Sequence, residues 1–396
     1  MNKRSDLDTA NWDLDTRLIH GSQEPDPATG AIVPPIHPSS TFVRQQIDDD
    51  APYRYARGAN PTRAALETIL AELEHGVAAS AFGSGMAAVT AALQLLSGGD
   101  HAIVGYDCYL STYHLFANDL PRFGISADFV DLTDPAAVRA ALRPNTRMIW
   151  IETPTNPLLD IVDLGAMAEI AAEARAITAV DNTFASPYCQ NPIDFGIDLV
   201  IHSTTKYLGG HSDLLGGAVI ARTPELAERI KDRQYYLGAV PSPFDCWLLI
   251  RGMRTLGVRM RQQMANAQAV AEWLREQPRV TRVLYPGLPQ HPGHELARRQ
   301  MTGGFSAMVS FDVGDVAAAR RVSAETRIFK LATSLGGVES LIYPPTAWLQ
   351  TDPALLAQIP GSPWARNPGL IRLSLGIESA RDLIADLEQA LTTAFR

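Results

Sequence analysis

"RMIWIETPTNPLLDIVDLGAMAEIAAEARAITAVD", residues 147–181, decides the fold. It opens on a short apolar run, "RMIWIE", crosses a proline-rich turn, continues as the helical stretch "DLGAMAEIAAEAR", and closes on a second apolar run, "ITAVD". Short apolar runs flanked by turn residues read as strands buried on both faces. A strand, a helix and a strand in that order make a crossover unit with parallel strands. The alternation extends both ways through "HAIVG" (101–105), "ADFVD" (127–131), "DPAAVRAAL" (134–142), "DLVIH" (198–202) and "GGAVIA" (216–221). The expectation is an α/β fold with a large, mostly parallel sheet covered by helices.

The flanks divide the chain further. Residues 1–60 are irregular and proline-rich, and read as an extended arm. Asn60 and Pro61 then supply an N-cap and a first helical residue, with Leu66, Ile69, Leu70 and Leu73 at helical spacing. Residues 61–255 form the sheet domain. One long helix, about 245–275, leads out of it. Residues 256–396 form a smaller α+β domain with strands in "GGFSAMVSFDV" and "LIRLSLGI" and a last helix over "ARDLIADLEQALTTAF".

Composition narrows the function. The chain has 396 residues, 46% hydrophobic and 19% charged, an ordinary globular balance for two domains. The net charge is −9 and the basic residues do not cluster, which argues against nucleic acid as a partner. No apolar run reaches membrane-span length, and "MNKRSDLDTANWDLD" lacks the apolar segment of a secretory signal. Cys108, Cys189 and Cys246 lie far apart, against a disulfide framework or zinc knuckle. A cytoplasmic protein without a metal site is expected. "HPGH" at 291–294 reads as a surface turn rather than a metal pair.

Ligands of a parallel sheet collect at the carboxyl ends of its strands. Those ends deliver Asn156, then Asp181 and Thr183, then Ser203, Thr205 and Lys206. The turn "GSGM" delivers Gly85 and Met86 at a helix start, a seat for phosphate. Lys3, Lys206, Lys231 and Lys330 are the only lysines among 34 lysines and arginines, and only Lys206 sits among hydroxyls at a strand end. "GSGMAA" also fits a dinucleotide fingerprint. The stretch before it, "HGVAAS", is a poor strand, and no acidic residue stands clearly at the end of a following strand, which argues against that reading. A lysine beside phosphate-binding hydroxyls, with an aspartate on a neighbouring strand, is what pyridoxal phosphate needs.

At these residues the sequence resembles the Cys/Met-metabolism pyridoxal-phosphate enzymes, which include cystathionine β-lyase, γ-lyase and γ-synthase and methionine γ-lyase. "LIHGSQEPDPATGAIVPPI", "YARGANPT", "SGMAA", "ETPTNP", "VDNTFASP", "HSTTKYLGGHSD", "SLGGVESL" and "RLSLGIE" follow the family's order, nearly end to end. The resemblance implies the pyridoxal-phosphate transferase fold of type I, similar to aspartate aminotransferase. It implies Lys206 as Schiff-base lysine and proton shuttle, and Asp181 as partner of the pyridine nitrogen. Gly85, Met86, Ser203 and Thr205 would hold the phosphate, with Thr183 also in the cofactor site. Tyr55 and Arg57 would reach the phosphate of a neighbouring subunit in a homotetramer built from dimers. Tyr109 would stack on the ring and help move protons. Asn156 would contact the ring's phenolic oxygen or the substrate carboxylate, which Ser334 and Arg372 would hold.

The implied substrate is a small sulfur-containing amino acid, and the implied reaction β- or γ-elimination to a 2-oxo acid and ammonia. The alternatives are γ-replacement on an O-acylhomoserine and γ-elimination from a non-sulfur substrate such as canavanine. The pocket departs from the family pattern. Thr333 stands where a glutamate often recognises the distal end of cystathionine. "YLST" (109–112) replaces "YGGT", with Ser111 where methionine γ-lyases carry cysteine. Leu335 stands where bacterial β-lyases often have tryptophan. "IYPPTAWLQ" replaces a histidine–proline motif and brings in Tyr343 and Trp348.

Overall fold

A computed structural model describes residues 12–21, 25–48, 50–351 and 367–396. Its larger sheet has seven strands in the order β1-β7-β6-β5-β4-β2-β3. These are β1 (Ala78–Phe82), β2 (His101–Gly105), β3 (Ser126–Val130), β4 (Thr146–Glu152), β5 (Ile177–Asp181), β6 (Leu199–His202) and β7 (Gly217–Ala221). Neighbouring strands pair parallel, except that β7 runs antiparallel to both β1 and β6. Along β4, Met148 and Trp150 join one apolar cluster while Ile149 and Ile151 join another. Side chains alternate across a strand, so both faces of the sheet are covered and the runs are apolar throughout.

The smaller sheet has five strands in the order β10-β11-β12-β9-β8. They are β8 (Arg282–Leu284), β9 (Met308–Asp312), β10 (Lys330–Leu331), β11 (Leu341–Tyr343) and β12 (Leu370–Ser374). A third, larger cluster joins the two sheets: Ala81, Val200 and Ile220 share it with Val309, Phe311 and Leu373. No helix among the described residues is long and apolar enough to cross a membrane.

Four local readings change. The helix expected over about 245–275 is two helices, Pro243–Met253 and Leu256–Arg275. Gly252 packs so closely that a Cβ there would lie 2.3 Å from the Gly209 carbonyl oxygen. The Gly252 carbonyl then accepts from the Thr255 N–H at 3.2 Å, the Thr255 hydroxyl at 3.0 Å and Arg259 at 2.9 Å, bonds that replace the helical one at the helix end. A helix, Leu14–His20, interrupts the stretch read as irregular, anchored by buried Leu18. The poor strand before "GSGM" does form a strand, β1, because pairing with β7 overrides weak propensity. The short strands β8, β10 and β11 carry too few residues to show a period.

Candidate active site

Strands β4, β5 and β6 end side by side. Glu152 stands opposite Asp181 in the β4–β5 register, and Asp181 opposite Ile201 in β5–β6. The chain then turns after β6, with the Gly210 N–H donating to the Lys206 carbonyl at 2.7 Å. That turn presents the Lys206 amine, whose Nζ donates to Ser334 Oγ at 2.8 Å. Burial first, and then the Arg372 charge, lower the Lys206 pKa to about 8 against the opposing charge of Asp181. Ser334 itself has φ +93°, a backbone region that serine rarely occupies.

Asp181 is buried, and burial raises its pKa, against hydrogen bonds from Thr183 and the charges of His202 and Lys206. The Thr183 N–H donates to Asp181 Oδ1 at 3.0 Å, and Thr183 Oγ1 accepts the Ser203 N–H at 2.9 Å. One threonine thus braces both the carboxylate and the first residue of the Lys206 turn.

The helix Gly85–Leu93 begins against the same turn, with Ser84 Oγ accepting the Ala87 N–H at 3.1 Å. A Cβ on Gly85 would lie 2.8 Å from Ser203 Cβ and 2.9 Å from Ser203 Oγ. Only glycine lets the helix start close on the serine. Gly85 and Met86 occupy the first helical turn, whose N–H groups have no intrahelical acceptor. These donors and the Ser203 hydroxyl form a cradle suited to a dianionic phosphate. Thr205 is held differently: its Oγ1 accepts the Gly216 N–H at 3.0 Å and donates to the Gly216 carbonyl at 3.3 Å.

Arg372, buried on β12, links the two sheets. Its Nη1 donates to Asn156 Oδ1 at 2.9 Å and its Nη2 to the Ser334 carbonyl at 3.0 Å. A guanidinium has five N–H groups, so these two bonds leave donors for a carboxylate. Tyr109 lies on the large-sheet side, 42% exposed, just before the helix Leu110–His114. Its N–H donates to Glu152 Oε2 at 2.7 Å. Burial first, and then Asp181, push the Glu152 carboxyl well above the usual range.

Sequence reasoning passed over Glu152. The signal was present, a carboxylate closing a strand beside the site, but "ETPTNP" drew attention to Asn156. Lys206, Asp181, Thr183, Ser203, Ser334, Arg372, Asn156, Gly85, Met86 and Tyr109 gather around these strand ends. Tyr55 and Arg57 do not share those contacts: both are exposed, and the Arg57 guanidinium stacks 4.7 Å from the Tyr235 ring and 5.6 Å from the Tyr55 ring. Thr333 is exposed beside Ser334. His291 is buried, its Nδ1 accepting the Gly293 N–H at 3.1 Å, and His294 Nδ1 lies 2.7 Å from the Pro286 carbonyl oxygen.

Comparison with known proteins finds relatives over nearly the whole chain. The family described as Cys/Met metabolism PLP-dependent enzyme matches residues 15–392. A cystathionine gamma-synthase of Mycobacterium tuberculosis (strain ATCC 25618 / H37Rv) is 50% identical over 379 residues, 95% of this chain and 96% of that one. A cystathionine beta-lyase of Coxiella burnetii is 46% identical over 381 residues, 96% and 97% of the two chains. A cystathionine gamma-lyase of Bacillus subtilis is 46% identical over 379 residues, 95% and 98% of the two. The crystal structure of metB from Corynebacterium glutamicum superposes with a TM-score of 0.93 at 42% identity, covering 98% of this chain and all (100%) of that one. That of cystathionine gamma-lyase from Lactobacillus plantarum, complexed with L-serine, gives 0.91 at 43% identity, covering 97% and 100%.

Proposed function

The chain belongs to the Cys/Met metabolism PLP-dependent enzymes, and from that membership we propose a carbon–sulfur lyase that eliminates a sulfur leaving group from a small amino acid. Pyridoxal 5'-phosphate is its cofactor. When bound, it supplies an aldehyde that condenses with an amine and a ring that takes up the charge left at a deprotonated Cα. The cradle that only a glycine at 85 permits fits its phosphate.

The protein's own groups do the rest. Gly85, Met86 and Ser203 would hold the phosphate, and Asp181 would pair with the pyridine nitrogen, where a cation favours its ionised form. Arg372, oriented by Asn156 and the Ser334 carbonyl, clamps the substrate α-carboxylate. Lys206 Nζ, held by Ser334 Oγ, takes the proton from Cα. The same amine takes one from Cβ when the leaving group sits on Cγ. The Tyr109 hydroxyl delivers a proton to the departing sulfur.

One observation carries this reading: a lysine amine hydrogen-bonded at 2.8 Å to Ser334, its pKa lowered to about 8 by burial and then Arg372. A second reading is γ-replacement on an O-acylhomoserine, favoured by the 50% identity to a gamma-synthase. The test is product identity. L-Cystathionine giving pyruvate means β-elimination, and 2-oxobutyrate means γ-elimination. Cystathionine formed from an O-acylhomoserine and cysteine, with no keto acid from L-cystathionine, would replace the lyase by the synthase.

We also propose a homotetramer of two dimers, in which Tyr55 and Arg57 reach the partner's phosphate. Tyr55 is 50% exposed, in a segment that leaves Val43 and Ile47 uncovered on the single chain. Sedimentation of Tyr55→Ala and Arg57→Ala beside wild type, with cofactor affinity measured in parallel, tests it; unchanged affinity in both variants overturns it.

A further inference from the structure

The small-sheet side of the site carries an aromatic wall that the chemistry above does not use. Tyr343 stands opposite Arg372 in the β11–β12 register, which brings its ring centroid 5.1 Å from the guanidinium carbon. The Trp348 ring lies 5.5 Å from that of Tyr343. Tyr343 and Leu349 form an apolar cluster of their own, against which Leu110 and Tyr113 pack. Leu110 follows Tyr109 directly, and Tyr113 stacks on Phe129 at 4.1 Å. The wall therefore joins the helix behind Tyr109, on the large sheet, to the segment after β11, on the small one. Trp348 keeps 43% of its surface exposed, so a broad aromatic face remains open at the rim.

The charge pattern of the wall is one-sided. Its side chains are uncharged; among the described residues the Arg372 guanidinium lies against Tyr343, and Arg320 donates to the Ala347 carbonyl at 3.0 Å. Burial raises the Tyr343 phenol, Arg372 lowers it and Tyr109 raises it again, so these three groups share one electrostatic environment. Thr333, next to Ser334, adds a hydroxyl and no carboxylate.

We propose that Tyr343 and Trp348 are specificity-determining residues, forming a wall that selects amino acids with an uncharged thioether tail over those whose tail ends in charged groups. This rests on the reading that Arg372 holds the α-carboxylate and Lys206 lies at Cα. A side chain leaving that Cα runs outward past Tyr343 and Trp348. A thioether tail gains there by burying polarizable apolar atoms against aromatic faces. A charged tail loses hydration. A distal ammonium also meets Arg372, which already occupies one face of Tyr343.

The experiment uses amino acids that carry no leaving group. The cofactor-loaded enzyme is titrated with L-norleucine, L-2-aminoadipate, L-lysine and L-alanine, and the absorbance of the bound cofactor reports binding. L-Norleucine should bind about tenfold tighter than either charged-tail amino acid, the scale on which an apolar pocket discriminates. Trp348→Ala should weaken L-norleucine about tenfold and leave L-2-aminoadipate within about twofold, whereas Trp348→Phe should keep most of the preference. Equal affinities in the wild type, or equal losses in Trp348→Ala, would overturn the wall. Because none of these ligands can eliminate, the result stands whichever reaction the enzyme performs. If no amino acid, L-alanine included, moved the absorbance, the placement of Arg372 and Lys206 at the substrate would fall, and the wall with it.

Discussion

The strand-end floor of the site and its small-sheet rim are built by opposite rules. The floor comes from adjacent strand ends between Glu152 and Lys206, and its polar groups hold one another: Thr183 braces Asp181 and Ser203, and Glu152 braces Tyr109. The rim is mostly apolar, partly open and drawn chiefly from residues after 330, with Leu110 and Tyr113 packed against it from the large-sheet side. The relatives show why the difference matters. A gamma-synthase at 50% identity and a beta-lyase and a gamma-lyase at 46% cover nearly the whole chain under three different names. High identity does not separate these named activities; on our reading the floor runs the chemistry they share and the rim chooses among substrates.

Perturbing the floor should therefore damage every substrate alike. Lys206→Ala removes the group that moves the Cα proton, and keto-acid formation should fall by at least about 10³-fold with any substrate. A variant with near-wild-type turnover would remove Lys206 from the mechanism. Arg372→Lys keeps a charge but loses the planar fork. It should lower kcat/KM about 10²-fold, mostly through KM, because two or more charge-assisted bonds are lost. If kcat alone fell, Arg372 would act on the transition state rather than as a carboxylate clamp.

The pH dependence sharpens the same point. Lys206 reacts as a neutral amine, and its pKa is lowered from 10.5 to about 8, chiefly by burial. Loading of the cofactor-free enzyme with pyridoxal phosphate should thus speed up as pH rises, by nearly tenfold per unit below the pKa, and flatten above about 8. A curve that keeps climbing toward 10 would mean an amine less buried than described. Smaller still is the effect at Glu152. Glu152→Gln keeps an oxygen for the Tyr109 N–H and should reduce turnover less than about fivefold, whereas Glu152→Ala strands that donor and should lose about tenfold or more. Equal losses in the two would point to the ionised carboxylate itself.

How far each region was legible in the sequence follows from how it is built. Floor residues lie at the ends of buried strands whose apolar runs mark them, so Asp181, Lys206 and their hydroxyls stand out by position. Helix starts were equally plain, since Asn60 accepts from the N–H groups of Thr62 and Arg63 as an N-cap does. β1 was misjudged because "AASAF" is stabilised by β7, far away in sequence. The break at Arg254–Thr255 follows directly on the close approach of Gly252 to Gly209, a contact that no local pattern encodes. The rim is hardest to read: Tyr343 meets Arg372 only through antiparallel pairing of β11 with β12, and Leu110 joins them from the other sheet.

The smallest prediction asks whether rim and floor communicate. Thr333 is exposed and precedes Ser334, which holds the Lys206 amine. Thr333→Glu would place a carboxylate at the rim, next in sequence to the residue that holds the amine. A negative charge favours the ammonium, so the loading curve should move to higher pH, though by less than about half a unit, because solvent screens an exposed charge. The same carboxylate would offer a distal ammonium the counter-charge that the aromatic wall withholds. The titration with L-lysine should then tighten about threefold while that with L-norleucine stays unchanged. If L-lysine gains and the loading curve stays still, the rim sets specificity without touching the chemistry. If the curve moves and L-lysine does not gain, residue 333 faces the amine rather than the path of the tail. The charge preference would then rest on Tyr343 and Trp348 alone.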